Sequence, residues 1–192
     1  MKKKTILLAL LLLSVLTANA QEERVRDKSV YLEFFGSSLG VGVSYDARFS
    51  KTSKWGYHAG FGFAYSHESG PFGNSSSRVY SIPLGVTYLF GNQKHNLELG
   101  AGVGVGVNND TYRLGEDVVV DPHNPQSQYT RTKLVEENKF LMFTYSSVGY
   151  RFTSKKGFQL RVGITPTILL VNSDFFDANA VFMPYISFGK AF

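Results

Sequence analysis

Hydrophobic and polar residues alternate at every second position over several long segments of the chain. Between residues 39 and 50 the odd positions hold large apolar side chains, whereas the even positions are small or polar. The apolar set is Leu39, Val41, Val43, Tyr45, Ala47 and Phe49. The same period of two recurs over residues 55–66 and 97–108. Successive side chains of a β-strand point to opposite faces, so each segment predicts a strand with one apolar face.

These segments are about twelve residues long. Strands of soluble sheets usually have about five or six residues, whereas about 9–11 cross a bilayer at a tilt. Weaker alternation predicts five further strands at residues 30–35, 78–90, 140–152, 158–170 and 181–192. An even number of strands closes a barrel with both termini on one side. The pattern therefore predicts an all-β fold, an antiparallel up-and-down transmembrane β-barrel of eight strands.

The composition of the polar face indicates which side of the barrel wall meets lipid. Opposite the apolar positions of 97–108 lie Gly100, Gly102, Gly104 and Gly106. Small residues suit the narrow lumen of a small barrel, whereas a soluble barrel would place its large apolar residues inside. Aromatic residues also gather at both ends of the predicted strands, as in the girdles of membrane barrels. We therefore expect the large apolar side chains to face lipid and Pro83 to face inward.

One predicted strand changes its apolar phase. Between residues 140 and 152 the apolar positions are first odd and then even: Leu141, Phe143 and Tyr145, followed by Val148, Tyr150 and Phe152. If all six side chains face lipid, one extra residue must be inserted between the two sets. The sequence thus predicts a β-bulge near Ser146 and Ser147.

The lengths of the connections predict the orientation. Connections 50–54, 91–95 and 153–157 are short, whereas 66–77, 109–138 and 172–180 are longer; only the first outer connection, 36–38, is tight. Bacterial barrels have short periplasmic turns and longer outer loops. The long segment 109–138 is the best candidate for a specific partner, as a strand extension, a disordered loop or a binding tip.

The amino terminus has the order of a secretory signal peptide. Lys2, Lys3 and Lys4 precede an apolar run over 6–13, and Ala18-Asn19-Ala20 gives an A-x-A cleavage site. We predict a cleaved leader over residues 1–20 and a barrel domain over 21–192. The formal net charge is +5, and the leader lysines supply three of these charges, so the domain carries only +2 and nucleic-acid binding is not expected. The chain has no Cys, which excludes a lipoprotein anchor and disulfides.

A leader, eight alternating strands, glycine-rich inward faces and a last strand ending in Phe192 resemble the OmpA/OmpX-type small outer-membrane barrels, in the form common in Bacteroidetes. The resemblance covers residues 21–192 and implies a location in the bacterial outer membrane. It implies contact with outer-membrane lipid and lipopolysaccharide, contact with the barrel-assembly machinery during insertion, and a monomer. The assembly signal it implies is Phe182, Ile186, Phe188 and Phe192, from which Lys190 departs.

Charged residues at inward positions predict an ion-pair network in the lumen. The predicted members are Glu33, Asp46, Arg48, Glu98, Arg151 and Arg161. Paired charges would bridge the barrel and block it, since unpaired charges inside would be costly. We expect a structural or interaction barrel with a filled lumen and exposed loops, although an ion-pair gate with rare conductance remains an alternative.

Other functions have weaker support in the sequence. Some eight-stranded barrels modify lipid A using His, Ser and an acid, and His67, Glu68 and Ser69 lie together near one rim. Consecutive residues of an extended chain do not converge into a triad, so we expect no catalytic residue and no cofactor. The remaining histidines, His58, His95 and His123, are scattered and predict no metal site. A lipid A-modifying enzyme, a small channel and an adhesin remain the alternatives.

Overall fold

The computed structural model describes residues 26–70, 73–92, 94–119, 128–171 and 179–192, and it is a closed barrel of eight antiparallel strands. Each strand pairs with its neighbours in sequence, and β1 pairs with β8 from Ser29↔Ala191 to Phe35↔Tyr185. The strands are β1 Lys28–Phe35, β2 Gly40–Arg48, β3 Trp55–Gly70, β4 Gly73–Gly91, β5 His95–Val119, β6 Gln128–Thr153, β7 Phe158–Val171 and β8 Ala180–Ala191. The predicted fold class and strand count are confirmed. The predicted leader lies outside the described residues.

No helix within the described ranges is long and apolar enough to cross a membrane. The only described helical element is a short 3-10 turn, Gly36–Ser38, which joins β1 to β2.

The outside of the barrel is apolar, as predicted. Val103 and Ile164 near the middle of their strands are 45% and 52% exposed, whereas Gly104 and Pro83 are buried on the inner face. The aromatic residues Trp55 and Tyr65 mark the two ends of the apolar part of the outward face of β3, which itself continues to Gly70. Ten residues of strand span about 33 Å, which a tilt of about 40° reduces to about 25 Å. That height equals the apolar band of a membrane barrel, so the wall fits a bilayer.

The predicted phase change in β6 is wrong. Leu141, Phe143 and Tyr145 point into the lumen with exposures of 0%, 0% and 4%, and the outward positions are even along the strand. Pairing with β5 runs in one register through Ser146 and Ser147, so there is no bulge between them. The irregularity in pairing with β7 lies instead between Met142 and Phe143. The prediction failed because it assigned every large apolar side chain to the lipid face.

Leu39 also faces inward instead of lipid. It follows the 3-10 turn with a left-handed φ of 62° and lies outside the strand, so the alternation of β2 does not apply to it. Its side chain is 4% exposed, and Ser37 and Ser38 of the turn are buried too. The turn contacts β3, β4, β7 and β8 as well as its own strands. The tight first connection was predicted, but it folds into the mouth of the barrel.

Inward apolar residues form a layer across the lumen on the side of the long connections. This apolar layer contains Leu39, Ala64, Val79, Leu141, Phe143, Tyr145, Leu169 and Met183. It draws on β3, β4, β6, β7, β8 and the residue after the 3-10 turn. The lumen is therefore closed by packed side chains near that end.

The hairpin of β5 and β6 projects beyond the rest of the barrel. Pairing of β4 with β5 ends at Ser76↔Thr111, whereas β5 and β6 remain paired to Val119↔Gln128. Residues 112–119 and 128–135 thus form a two-stranded extension, called the β5–β6 ribbon below. Of the three structures considered for segment 109–138, the described part has the strand extension; residues 120–127 lie outside the described residues.

Candidate functional site

Five of the six charged residues predicted for the lumen meet in one group. This lumenal cluster consists of Asp46, Arg48, Glu98, Arg151 and Arg161. Their strands, β2, β5, β6 and β7, place them at inward positions near the short turns. Their side chains are between 2% and 7% exposed. The charges are thus held almost entirely away from bulk solvent.

Asp46 and Arg151 form the central pair of the cluster. Arg151 donates from Nη1 to Asp46 Oδ1 at 3.0 Å and from Nη2 to Oδ2 at 3.1 Å, a two-pronged arrangement with fixed geometry. Arg48 Nη2 also donates to Asp46 Oδ2 at 2.7 Å. Because β2 and β6 are four strands apart in either direction around the ring, the Asp46–Arg151 pair spans the lumen.

Glu98 links Arg151 to Arg161, the third arginine of the cluster. It accepts from Arg151 Nε and, at 3.5 Å, from Arg161 Nη1. Arg161 also donates to Gln159 Oε1 at 2.6 Å and to Ser29 Oγ at 3.0 Å, and its guanidinium lies 3.8 Å from the ring centroid of Tyr31. The cation–π contact and hydrogen bonds provide partners for a charge removed from water.

Arg151 and Arg161 are directly opposite each other in the β6–β7 register. Like charges at such cross-strand positions repel, so this pair of arginines would destabilise the barrel if no acidic residues lay beside it. Asp46 and Glu98 each contact both arginines and so provide the compensating charge. Three arginines and two carboxylates leave one positive charge in excess.

Glu33 stands apart from the cluster. Its Oε1 accepts hydrogen bonds from Ser37 Oγ at 2.8 Å, Ser38 N at 3.1 Å and Ser38 Oγ at 3.1 Å. Glu33 therefore holds the buried 3-10 turn in place instead of bridging to an arginine. The sequence placed it at an inward position but gave no sign that the turn would fold back onto it.

Two cavities border the cluster. A vestibule of about 620 Å³ opens at the end of the short turns, and Asp46, Arg48 and Arg151 line it. Beyond the cluster, a cavity of about 20 Å³ is lined by polar groups that include Glu33, His58 and Glu98. A polar cavity needs at least about 10–15 Å³ to hold one water molecule, so the small one has room for a single water.

The apolar layer was missed in the sequence, although a signal for it was present. Phe143 pairs with Gly104, and Tyr145 with Gly102, across β5 and β6. A Cβ atom built at either glycine would overlap the facing aromatic ring. The sequence places these glycines at inward positions of β5. Aromatic residues at the facing positions of β6 can therefore point inward, into the space that the glycines leave open.

The described histidines lie at three separate positions, two on β3 and one on β5. His58 is buried, with Nε2 2.6 Å from Tyr145 Oη, at the boundary between the small cavity and the apolar layer. His67 pairs with Ser76 in β3–β4, and His95 lies at the start of β5. His123 lies outside the described residues. No group of three or more potential metal ligands occurs among the residues described.

The residues of the predicted assembly signal share the outer face at the end of the chain. Phe182, Ile186, Phe188 and Phe192 are 75%, 38%, 41% and 54% exposed. Phe192 N donates to Lys28 O at 2.9 Å, so the last residue closes the barrel against β1. Their role in assembly stays a prediction.

Comparisons with known proteins found structural likeness only. No protein-family model and no curated protein matches the chain. The chain is similar to the N-terminal β-barrel domain of OprF from Pseudomonas aeruginosa, with 8% identity, a TM-score of 0.48, and coverage of 86% of this chain and 96% of that domain. It is also similar to the attachment invasion locus protein Ail of Yersinia pestis. The Ail crystal structure has 12% identity, a TM-score of 0.40, and coverage of 86% and 92%. The structure of Ail in a phospholipid bilayer nanodisc has 14% identity and a TM-score of 0.44, with coverage of 86% of this chain and 99% of that chain.

Proposed function

We propose that this chain is an outer-membrane β-barrel that forms a sealed scaffold and presents the β5–β6 ribbon outside the cell. The apolar band on its outer wall supports the membrane location, since such a surface would be costly in water and matches the thickness of a bilayer. The short turns at one end and the ribbon at the other support the orientation.

The observation that carries the proposal is the double closure of the lumen. The cluster spans the barrel with charged side chains near the short turns, and the apolar layer closes it near the long connections. An eight-stranded lumen is just wide enough to be filled by its own side chains. A solute would have to break buried ion pairs and then cross a dry apolar constriction, so the sealed state is strongly favoured.

Solute flux tests this part of the proposal. The folded protein is placed in liposomes loaded with a sugar, and swelling is followed after dilution into a permeant sugar or amino acid. A sealed barrel gives the rate of protein-free liposomes. Swelling that increases in proportion to the amount of folded protein would mean that the barrel is a channel.

The ribbon is the best candidate for contact with a partner. Within the described residues its two strands are paired only with each other, since pairing of β6 with β7 begins at Met142↔Val171. A ribbon of this kind leaves backbone groups available along its edges, to which another strand could add. Leu134 is 57% exposed on it, and Lys133 on the ribbon and Glu136 next to it provide charges that oppose nonspecific pairing.

A ribbon deletion tests the role of the ribbon. In a strain that lacks the gene, the full chain is compared with a variant in which residues 112–135 are replaced by an Asn-Gly turn. The barrel should still assemble, because the deleted part makes no contact with β7 or β8 in the described register. Adhesion to host or bacterial surfaces should fall with the shortened chain while envelope integrity is retained. Equal adhesion by both chains would exclude the ribbon as the contact surface.

We also propose that the barrel has no catalytic role. His67, Glu68 and Ser69 are consecutive residues of β3, and consecutive residues of an extended strand do not converge into a triad. His58 is inside the lumen, away from any lipid substrate. Mass spectra of lipid A from strains with and without the gene should be identical; a gene-dependent change in acyl chains would contradict this proposal.

A further inference from the structure

The vestibule at the short-turn end is a pocket of ligand size. Its volume of about 620 Å³ lies within the range of about 300–1,000 Å³ typical of small-molecule sites. Residues of all three short turns form its rim, and inward residues of the cluster form its floor. Under the proposed orientation it opens to the periplasm. The pocket lies inside the ring of strands, so it is open to soluble compounds and turned away from the lipid beside the wall.

The charge of the vestibule is strongly one-sided. Among the described residues, eight basic residues line it, against two acidic residues, Asp27 and Asp46. Asp46 already contacts three arginines, so its charge is not free to balance the rim. Lys51, Lys54 and Lys94 are exposed at the rim on two different turns. Positive charge in a cleft with low-dielectric walls concentrates the field and attracts anions.

The floor of the vestibule includes an arginine with one nitrogen that has no partner among the described residues. Arg48 lines the vestibule with a side chain that is only 7% exposed. Its terminal nitrogens donate to Lys54 O at 3.1 Å and to Thr87 Oγ1 at 2.6 Å, besides Asp46. Its Nε is buried and has no partner among the described residues. Leaving a buried charged donor unpaired is costly, and an anionic oxygen that reached Nε after a shift of the Arg48 side chain would satisfy it.

We propose that the vestibule binds a phosphate-bearing anion. Lysine ammonium groups at the rim, above a floor whose ion pairs leave one positive charge in excess, suit the several oxygens and multiple charges of a phosphate group. The volume exceeds that of a single phosphate ion, so the pocket accommodates a diphosphate or a phosphate ester. The same chemistry is found on phospholipid headgroups, but the position inside the ring favours a soluble compound.

Calorimetric titration with inorganic pyrophosphate tests the proposal. The protein is folded in an uncharged sugar detergent, so that neither the orientation in the cell nor the state of the lumen affects the result. The variant K51Q/K54Q/K94Q removes three rim charges without touching the barrel wall. Its matched control, R113Q/K133Q/K139Q, removes three positive charges at the opposite end, where all three residues lie in or next to the ribbon. Citrate serves as a carboxylate of similar charge.

We expect saturable binding of pyrophosphate to the wild type. The rim variant should raise the dissociation constant by about tenfold or more, whereas the control variant should change it by less than about twofold. Citrate should bind more weakly than pyrophosphate. Equal weakening by the two variants would reduce the effect to overall charge and overturn the proposal. Equal binding of citrate would overturn the assignment to phosphate.

Nanodiscs of phosphatidylcholine with and without phosphatidylglycerol distinguish the two phosphate sources. If the natural ligand is soluble, pyrophosphate should bind the rim variant more weakly than the control variant, and by the same factor in both kinds of disc. If phosphatidylglycerol removes that difference, the headgroup occupies the pocket and the phosphate source is lipid. A channel activity that contradicts the sealed scaffold would leave this outcome unchanged, so the two proposals fail separately.

Discussion

The ring of Phe143 on β6 lies over Gly104 on β5, its directly paired residue, so that a methyl group at residue 104 would overlap the ring. Phe143 is fully buried, although it lies on a strand whose other face meets lipid. The pair shows how this barrel accommodates large apolar side chains inside a narrow lumen. A glycine on one strand leaves space for an aromatic ring from the next.

Gly104→Ala tests this relationship. The added methyl group should force the Phe143 ring out of its position and lower the free energy of unfolding by about 1–3 kcal/mol. In the background of Phe143→Ala the same substitution should cost much less, because the ring that it meets is gone. Urea unfolding of the four proteins gives the coupling between the two sites. Additive effects would place the ring elsewhere.

An arginine introduced on the outer wall should lower stability far more within the apolar band than on the ribbon. Val103→Arg and Ile164→Arg each place a charge in the middle of the apolar band and should cost about 2–4 kcal/mol in a bilayer. Leu134→Arg is the matched control, because Leu134 is also exposed, at 57%, but lies on the ribbon beyond the membrane. Unfolding in lipid vesicles measures all three. Equal stability of all three variants and wild type would show that the band is not in lipid.

Alternation predicted the eight strands, the lipid face at Val103 and Ile164, and the inward position of Pro83, because the period of two follows directly from strand geometry. It failed at Phe143, since hydrophobicity alone does not distinguish a side chain in lipid from one in a dry lumen. It failed at Leu39 because a left-handed turn residue lies outside the alternation.

The charged site could be predicted in part. Asp46, Arg151 and their neighbours were predicted to form one network because all of them lie at inward positions and buried charges require partners. The sequence contained no information on reach across the lumen, which depends on strand tilt and shear. Glu33 was therefore assigned to ion pairs, whereas it accepts hydrogen bonds from the 3-10 turn.

Arg151→Ala should destabilise the barrel more than any exposed basic substitution. The change removes one of the two arginines that Asp46 and Glu98 share, and breaking buried pairs costs up to about 3–5 kcal/mol, reduced here by water from the vestibule and by the remaining contacts to Arg161. Lys155→Ala on the neighbouring turn removes an exposed positive charge and should change stability by less than about 1 kcal/mol. Thermal unfolding followed by mobility in gels compares the two, and equal melting temperatures would mean that the cluster contributes nothing to stability.

The absence of Cys allows a clean test of orientation, since every introduced thiol is the only one in the chain. Thr132→Cys lies on the ribbon, and Lys155→Cys lies on a short turn; both positions are exposed. A maleimide coupled to a large polymer, which cannot cross the outer membrane, should label residue 132 on intact cells. Residue 155 should react only after the membrane is permeabilised. The reverse pattern would invert the barrel.

Ion conductance in planar bilayers tests the central claim that two independent layers close the lumen. Leu141→Ser/Phe143→Ser opens the apolar layer, Glu98→Ala/Arg151→Ala opens the cluster, and a fourth protein carries all four changes. Gel mobility before and after heating confirms that each barrel is folded. We expect wild type and both two-residue variants to remain closed and only the four-residue variant to conduct steadily. Steady conductance by the folded wild type would show that the lumen is open, and a four-residue variant that is folded and closed would show that other side chains seal it.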